Sequence, residues 1–318
     1  MGSVRVRAIR NSLLFWLITT ILAQPCFASE SHDDNPEYYE NGLALWREPL
    51  IELEFVWLEG GCFPMGQSVP EKRTLIEEAG ELKYREFYAD ELPQHQVCVD
   101  GFWMARQETT RHQWQQLMAT APFLADLPDN HPATNISWLM AMDFIVVLNG
   151  IANENFRLPT EAEMEYAIRA GSQTPFHTGK TISTEQANYN GIHTYDSGQK
   201  GTYLQKTSPV GSYPANRFGL FDMHGNVWEW CSDWYAKDYY EKSPVDTPRG
   251  PESGKDKIMR GGSWFTAPRS VRSANRRGLQ PDIALADSGF RLVANRSPPR
   301  PETPPSQKDQ KVAYDPDF

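Results

Sequence analysis

The 318-residue chain is poor in cysteine, with thiols only at positions 26, 62, 98 and 231. No CxxC and no Cys/His quartet occurs, which removes zinc-ribbon and dithiol redox centres. No GxxxxGK[ST] occurs, so a phosphate-cradling loop is absent. No GxSxG marks a nucleophile elbow, which argues against a Ser-His-Asp hydrolase. Basic excess is missing too. Lys and Arg number 31 against 41 Asp and Glu, a formal charge of -10, and a nucleic-acid partner would need a basic face. Apolar runs are short, and no internal repeat is evident.

What is present begins with a targeting signal. Arg5, Arg7 and Arg10 precede a run from Leu13 to Ala23, and Cys26-Phe27-Ala28 offers small residues at a cleavage site. Eleven apolar residues are too few to cross a bilayer, so residues 1–28 read as a secretory signal peptide with no membrane span after its removal. Its loss removes three arginines and no acid, moving the charge from -10 to -13. The expected location is periplasmic or secreted, where disulfides persist. Cys62 and Cys98 lie in two β-like stretches, GGCFPMG and HQVCVDGFW, and are expected to pair; Cys231 is left as a buried thiol.

Hydrophobic content of 40% supplies a core, while 22 Gly and 24 Pro predict many turns and short elements. Residues 29–50 read as a flexible leader, 51–295 as the folded domain and 296–318 as a disordered Pro-rich tail. IELEFVWL alternates as a strand. Pro70 to Glu91 has no clean apolar period and reads as a surface loop. Thr109 or Thr110, Ser137 and Thr160 are expected N-caps of three helices, the last with a Thr160–Glu163 capping box. Glu161, Glu163 and Glu165 in that helix read as acids favoured by the dipole. Residues 171–218 read as irregular loops.

The chain centres on GLFDMHGNVWEWCSDWY, Gly219 to Tyr235. Trp228, Trp230 and Trp234 surround Glu229, a carboxylate that needs a partner if buried. That partner is either an arginine with backbone N–H groups, or a hard cation sharing Glu229 with Asp222 and turn carbonyls.

This stretch resembles the signature of the formylglycine-generating, or sulfatase-modifying factor, family. LEGGCFPMG, RLPTEAEMEYAIRAG, MRGGSWF and SGFRLV follow the order that family uses, over about residues 50 to 295. The resemblance implies a single irregular α+β domain of C-type-lectin-like type, with few helices and many short strands. It implies structural calcium held by the side chains of Asp222 and Glu229 and the carbonyls of Gly225 and Val227. Asn188 and Tyr189 would begin a second calcium site, whose downstream loop at Tyr195 to Tyr203 departs from the family pattern. It also implies a ligand groove near Ser263 and Trp264, with Arg269, Arg272 and Arg276 either clamping an anionic or peptide ligand or pairing with buried acids.

The family's catalytic members bind copper(I) through two cysteines shortly after the GGS. From Gly261 to Arg277 this chain has none, which argues against copper and against formylglycine formation by that route. Iron is left open; His95, His193 and His224 are the candidate ligands. Two functions follow as expectations. One is an oxidoreductase-like maturation enzyme acting on a peptide or small secreted metabolite. The other is a non-catalytic lectin-like module recognising a peptide, glycan or envelope protein.

Overall fold

A computed structural model describes residues 37–299; the expected signal peptide, the start of the expected leader and residues 300–318 lie outside the described residues. The leader expectation is corrected from residue 37 on. Strands β1 (Tyr38–Glu40) and β2 (Leu43–Arg47) form an antiparallel hairpin across Asn41-Gly42, both at positive φ. Asn-Gly between two β-capable runs is a strong two-residue turn signal, and β2 buries Ala44, Leu45 and Trp46.

β3 (Glu54–Leu58) continues that sheet, and β4 (Gly61–Met65) pairs with β5 (His95–Val99). Cys62 and Cys98 face each other across this ladder and form the expected disulfide. Between β4 and β5 the chain is helical, which corrects the loop expectation. Helix α1 (Val69–Ala79) starts on a Ser68–Glu71 capping box with proline in its first turn, and Gly80 at φ 80° ends it. Helix α2 (Glu81–Phe87) and a 3-10 turn at Ala89–Glu91 follow. In α1 only Glu71 and Leu75 are buried, so no apolar stripe announces the helix.

β6 (Phe102–Ala105) precedes three helices whose caps follow the expectation. Thr110 caps α3 (Arg111–Leu117), Ser137 caps α4 (Trp138–Ile151), and Thr160 with Glu163 boxes α5 (Glu161–Arg169). The short β7 (Phe156–Arg157) lies between α4 and α5. No strand is assigned between α5 and β8 (Trp228–Trp234), consistent with the expected irregular stretch. β9 (Lys257–Arg260), β10 (Arg277–Leu279), β11 (Ser288–Gly289) and β12 (Val293–Ala294) complete the order.

The six-stranded sheet runs β1-β2-β3-β6-β12-β7 and the four-stranded sheet runs β10-β9-β8-β11. One apolar cluster joins Trp46, Phe55 and Trp103 to Trp114 and Phe144 of the helices and to Trp230. A second packs α5 through Met164 and Ile168 against Cys231 and Ile258. The α+β assignment holds. Among the described residues no helix is long and apolar enough to cross a membrane.

Four fully buried arginines tie these layers together. Arg291 grips Glu229, Arg276 grips Glu161, Arg272 grips Glu91, and Arg260 bonds Glu165. Glu161 and Glu165 therefore serve as buried partners rather than as dipole charges; only Glu163 keeps a capping role, while also pairing with Arg157.

Candidate functional site

The turn before β8 is coiled by backbone that few residues adopt. Asp222 and Asn226 sit at φ 57° and 60°, and Gly225 at 92°. A Cβ on Gly225 would meet the carbonyl oxygen of Asn188 at 2.2 Å, so glycine is required there. This packing places Asn188 against the turn. The Asn188 amide donates to Asn226 Oδ1 (3.2 Å), and Asn226 Nδ2 donates to Glu108 Oε1 (2.9 Å). Asp222 Oδ2 accepts from Gly211 N–H at 2.6 Å. Three other oxygens are buried without a hydrogen bond among the described residues: Asp222 Oδ1, Glu108 Oε2 and Asn188 Oδ1.

Charge at this place does not balance. Glu108, Asp222 and Glu229 bring three carboxyls, and Arg291 brings one guanidinium. Burial, followed by the charges of Asp222 and Glu229, pushes Glu108 well above the usual carboxylate range; burial likewise pushes Asp222 up to about 6. Unmatched buried charge is costly unless a proton or cation joins it.

Asp222, expected in the first calcium site, lies in this turn; Asn188, expected in the second, is bonded to the turn through Asn226, and Glu108, unforeseen, bonds Asn226 as well. The only sequence signal for Glu108 was its place just before the α3 cap. Glu229 meets the arginine of its two expected partners: both its oxygens accept from Arg291, at 2.6 and 2.7 Å. Tyr189 is buried core, its hydroxyl donating to Ile182 O at 3.0 Å. No three acidic, histidine or cysteine side chains among the described residues converge into a cage by themselves, so amide and backbone oxygens such as those of Gly225 and Val227 would have to complete one.

The second candidate surface begins at Ser263. Gly261 and Gly262, at φ 88° and 76°, turn the chain out of β9. Ser263 is buried and its Oγ donates to Asp287 Oδ2 at 2.6 Å. Trp264 emerges beside it, stacked on Tyr203 (centroids 6.4 Å) and edge-on to Phe265 (5.6 Å), which is 61% exposed. Trp228, whose N–H donates to the Asp287 carbonyl, has a buried indole N–H with no partner among the described residues.

Arg272 and Arg276 are corrected as groove residues. Arg272 is buried and bonded to Glu91 at 2.6 and 2.9 Å. Arg276 is buried and bonded to Glu161 through two bonds of 2.8 Å. A guanidinium taken out of water needs a carboxylate near it, so neither is left to clamp a ligand. Arg269 is half-buried and reaches Tyr88 Oη at 3.1 Å.

The thiol donors do not fit a two-thiolate copper site. Residues 261–277 carry none, Cys62 and Cys98 are joined, and Cys231 is buried with its thiol pushed up by burial. The three candidate iron histidines are not brought together. His95 packs on Tyr240, His193 is exposed, and His224 is held between Val271 O and the His177 N–H while stacking on the His177 ring.

Comparison with known proteins places this geometry. The chain is 28% identical to the formylglycine-generating enzyme of Mus musculus over 317 residues, covering 81% of this chain and 79% of that one. It is 30% identical to the serine/threonine-protein kinase pkn1 of Chlamydia caviae over 81% of its own length, but spans only 43% of that relative. The solved structure of PvdO from Pseudomonas aeruginosa matches with TM-score 0.64 and 29% identity, covering 79% of this chain and 97% of that one. Residues 48–296 match the sulfatase-modifying factor enzyme 1-like domain model, and the chain therefore belongs to that family.

Proposed function

We propose that this chain is an exported, calcium-stabilised member of the family that acts on a peptide or small secreted metabolite at the surface around Ser263, without the two-thiolate copper of the formylglycine-generating members. The observation that carries this reading is the buried Ser263–Asp287 pair at the foot of the half-buried Trp264 and Tyr203 and the exposed Phe265. By accepting the hydrogen bond of the Ser263 hydroxyl, Asp287 fixes its orientation, the Phe265 N–H donates to Oγ at 3.3 Å, and the rings beside this pair supply apolar contact area for a ligand. The oxidoreductase-like character comes from the family. The Cys62–Cys98 disulfide supports an oxidising compartment.

Calcium suits the buried acids because it binds hard oxygens in an irregular shell of six to eight. Asp222, Glu108 and the Asn188 amide oxygen would hold it, with carbonyls of Gly225 and Val227 and the remaining lone pairs of Glu229. It would supply positive charge and lock three distant segments.

A second reading, a binding module for a peptide, glycan or envelope partner, is favoured by the locking of Arg272 and Arg276 into ion pairs, which leaves an aromatic surface. Metal content of the mature protein, purified from its exported compartment without chelator, separates the two. Stoichiometric iron or copper supports the enzyme. Calcium alone, together with no change in exported peptides or metabolites by mass spectrometry when Ser263→Ala replaces the wild type, supports the binding module and sinks the enzyme reading.

A further inference from the structure

A cleft separate from both places lies on the face formed by the start of the six-stranded sheet and α5. It encloses about 250 Å³ and is lined by Tyr39, Trp57, Tyr166 and Phe218, with Pro299 beside them. The Tyr166 and Phe218 rings lie 5.4 Å apart, tilted by 37°, and Trp57 stands edge-on to Trp103 at 5.7 Å across β3 and β6.

The chain reaches this cleft along a fixed path. After β12, Arg296 bonds Glu154 at 2.6 Å, approaches Glu37 and lies 5.0 Å over the Trp46 ring. The carbonyl of Ser297 accepts from Trp103 Nε1 at 2.9 Å. Pro298 is exposed and Pro299 half-buried at the cleft. Trp57 Nε1 is buried and has no acceptor among the described residues.

Aromatic walls with an indole N–H donor among them suit one kind of chain. Proline-rich segments adopt an extended left-handed helix with no internal hydrogen bonds, so every carbonyl is free to accept. Their rings pack on aromatic faces, and their stiffness lowers the entropy lost on docking. Trp103 has already taken one such carbonyl, and Trp57 offers the next donor. The sequence from the cleft onward, Ser297-Pro298-Pro299-Arg300-Pro301-Glu302-Thr303-Pro304-Pro305, has the composition this groove selects.

We propose that the cleft of Tyr39, Trp57, Tyr166 and Phe218 is a proline-recognition groove, and that its occupant is this chain's own proline-rich segment beginning at Ser297. Docking in cis is favoured because tethering gives the segment an effective concentration in the millimolar range. An external proline-rich peptide can enter only by displacing it.

The test uses the full mature chain and a fluorescein-labelled decapeptide with the sequence of residues 297–306, read by fluorescence anisotropy. In the double variant Pro298→Ala, Pro299→Ala the peptide is expected to bind at least tenfold tighter than to the wild type, whose groove is filled. Adding Trp57→Phe, which removes only the donor, should weaken that binding severalfold. Melting temperatures of all variants, compared with wild type, identify any that fail to fold. A correctly folded double variant that does not bind, or that binds no better than wild type, overturns the proposal. So does equal binding of a scrambled peptide without proline, or capture of oligosaccharide but not peptide.

Discussion

Asp233 shows how one side chain in this core couples stability to acidity. Its Oδ2 accepts from the Glu161 N–H and the Ser232 hydroxyl, both at 3.0 Å, and no cationic side chain among the described residues is bonded to it. Burial, then the nearby charge of Glu161, pushes its carboxyl from the ordinary 3.8 up to about 7. The folded chain therefore keeps this proton to about pH 7, whereas the unfolded chain releases it near pH 4. Between those values the native state binds more protons, so stability falls as pH rises. A rise from 3.8 to about 7 corresponds to about 4 kcal/mol once both states are ionised. Asp233→Asn keeps an acceptor for Glu161 N–H and carries no charge. Its melting temperature, followed from pH 4 to 8, should decline less than that of wild type, and it should be the more stable protein above pH 7. An unchanged slope would place the pH dependence elsewhere.

Elements in this fold are held by their ends and their ion pairs as much as by apolar faces. Ser68→Ala removes the α1 cap and should cost about 1 kcal/mol in urea denaturation. Glu91→Gln leaves the guanidinium of Arg272 buried with its main partner neutralised, and should cost about 3–5 kcal/mol. A loss below 1 kcal/mol would mean that Arg272 finds solvent or another acid. Replacing Cys62 and Cys98 together by Ser opens a link across a sequence separation of 36, for which loop-closure entropy gives about 4 kcal/mol; matching melting points for oxidised wild type and this variant would count against that role.

The same elements explain what could be read in advance. Thr110, Ser137 and Thr160 mark helix starts because capping is local chemistry, complete within four residues. The pairing of Cys62 with Cys98 followed from two short β-like stretches and an odd number of mature thiols. Helix α1 shows no apolar period because it buries only Glu71 and Leu75, and Glu71 is buried against Arg272, 201 residues after it. Long-range pairing of that kind leaves no periodic trace. The first hairpin carries only one local signal, Asn41-Gly42, and the polar residues before it mask the strands on either side. At the acidic site, Asp222 was legible from the turn. Glu108 was not, because only the fold brings it to Asn226.

At the scale of the whole molecule, the acidic site joins the chain at residues 108, 188, 222 and 229. Calcium there should raise the melting temperature, and a chelator should lower it by several degrees. Asp222→Ala or Glu108→Ala should abolish the difference between the two conditions. A melting point indifferent to calcium in the wild type would remove the cation from the account.

The buried arginines carry one more consequence, for the order in which the protein can be made. Arg260, Arg272, Arg276 and Arg291 all come from a late stretch of the chain, and their partners precede them by 62 to 201 positions. Contacts so distant along the chain form slowly, because loop closure precedes any gain. A polypeptide halted near residue 250 would hold Glu71, Glu91, Glu161 and Glu229 with no guanidinium to meet, and Glu165 with Arg169 alone. Those acids would keep the part already made hydrated and open until residues 260–291 arrive, so that this late stretch works as a latch, closing the domain in one late event.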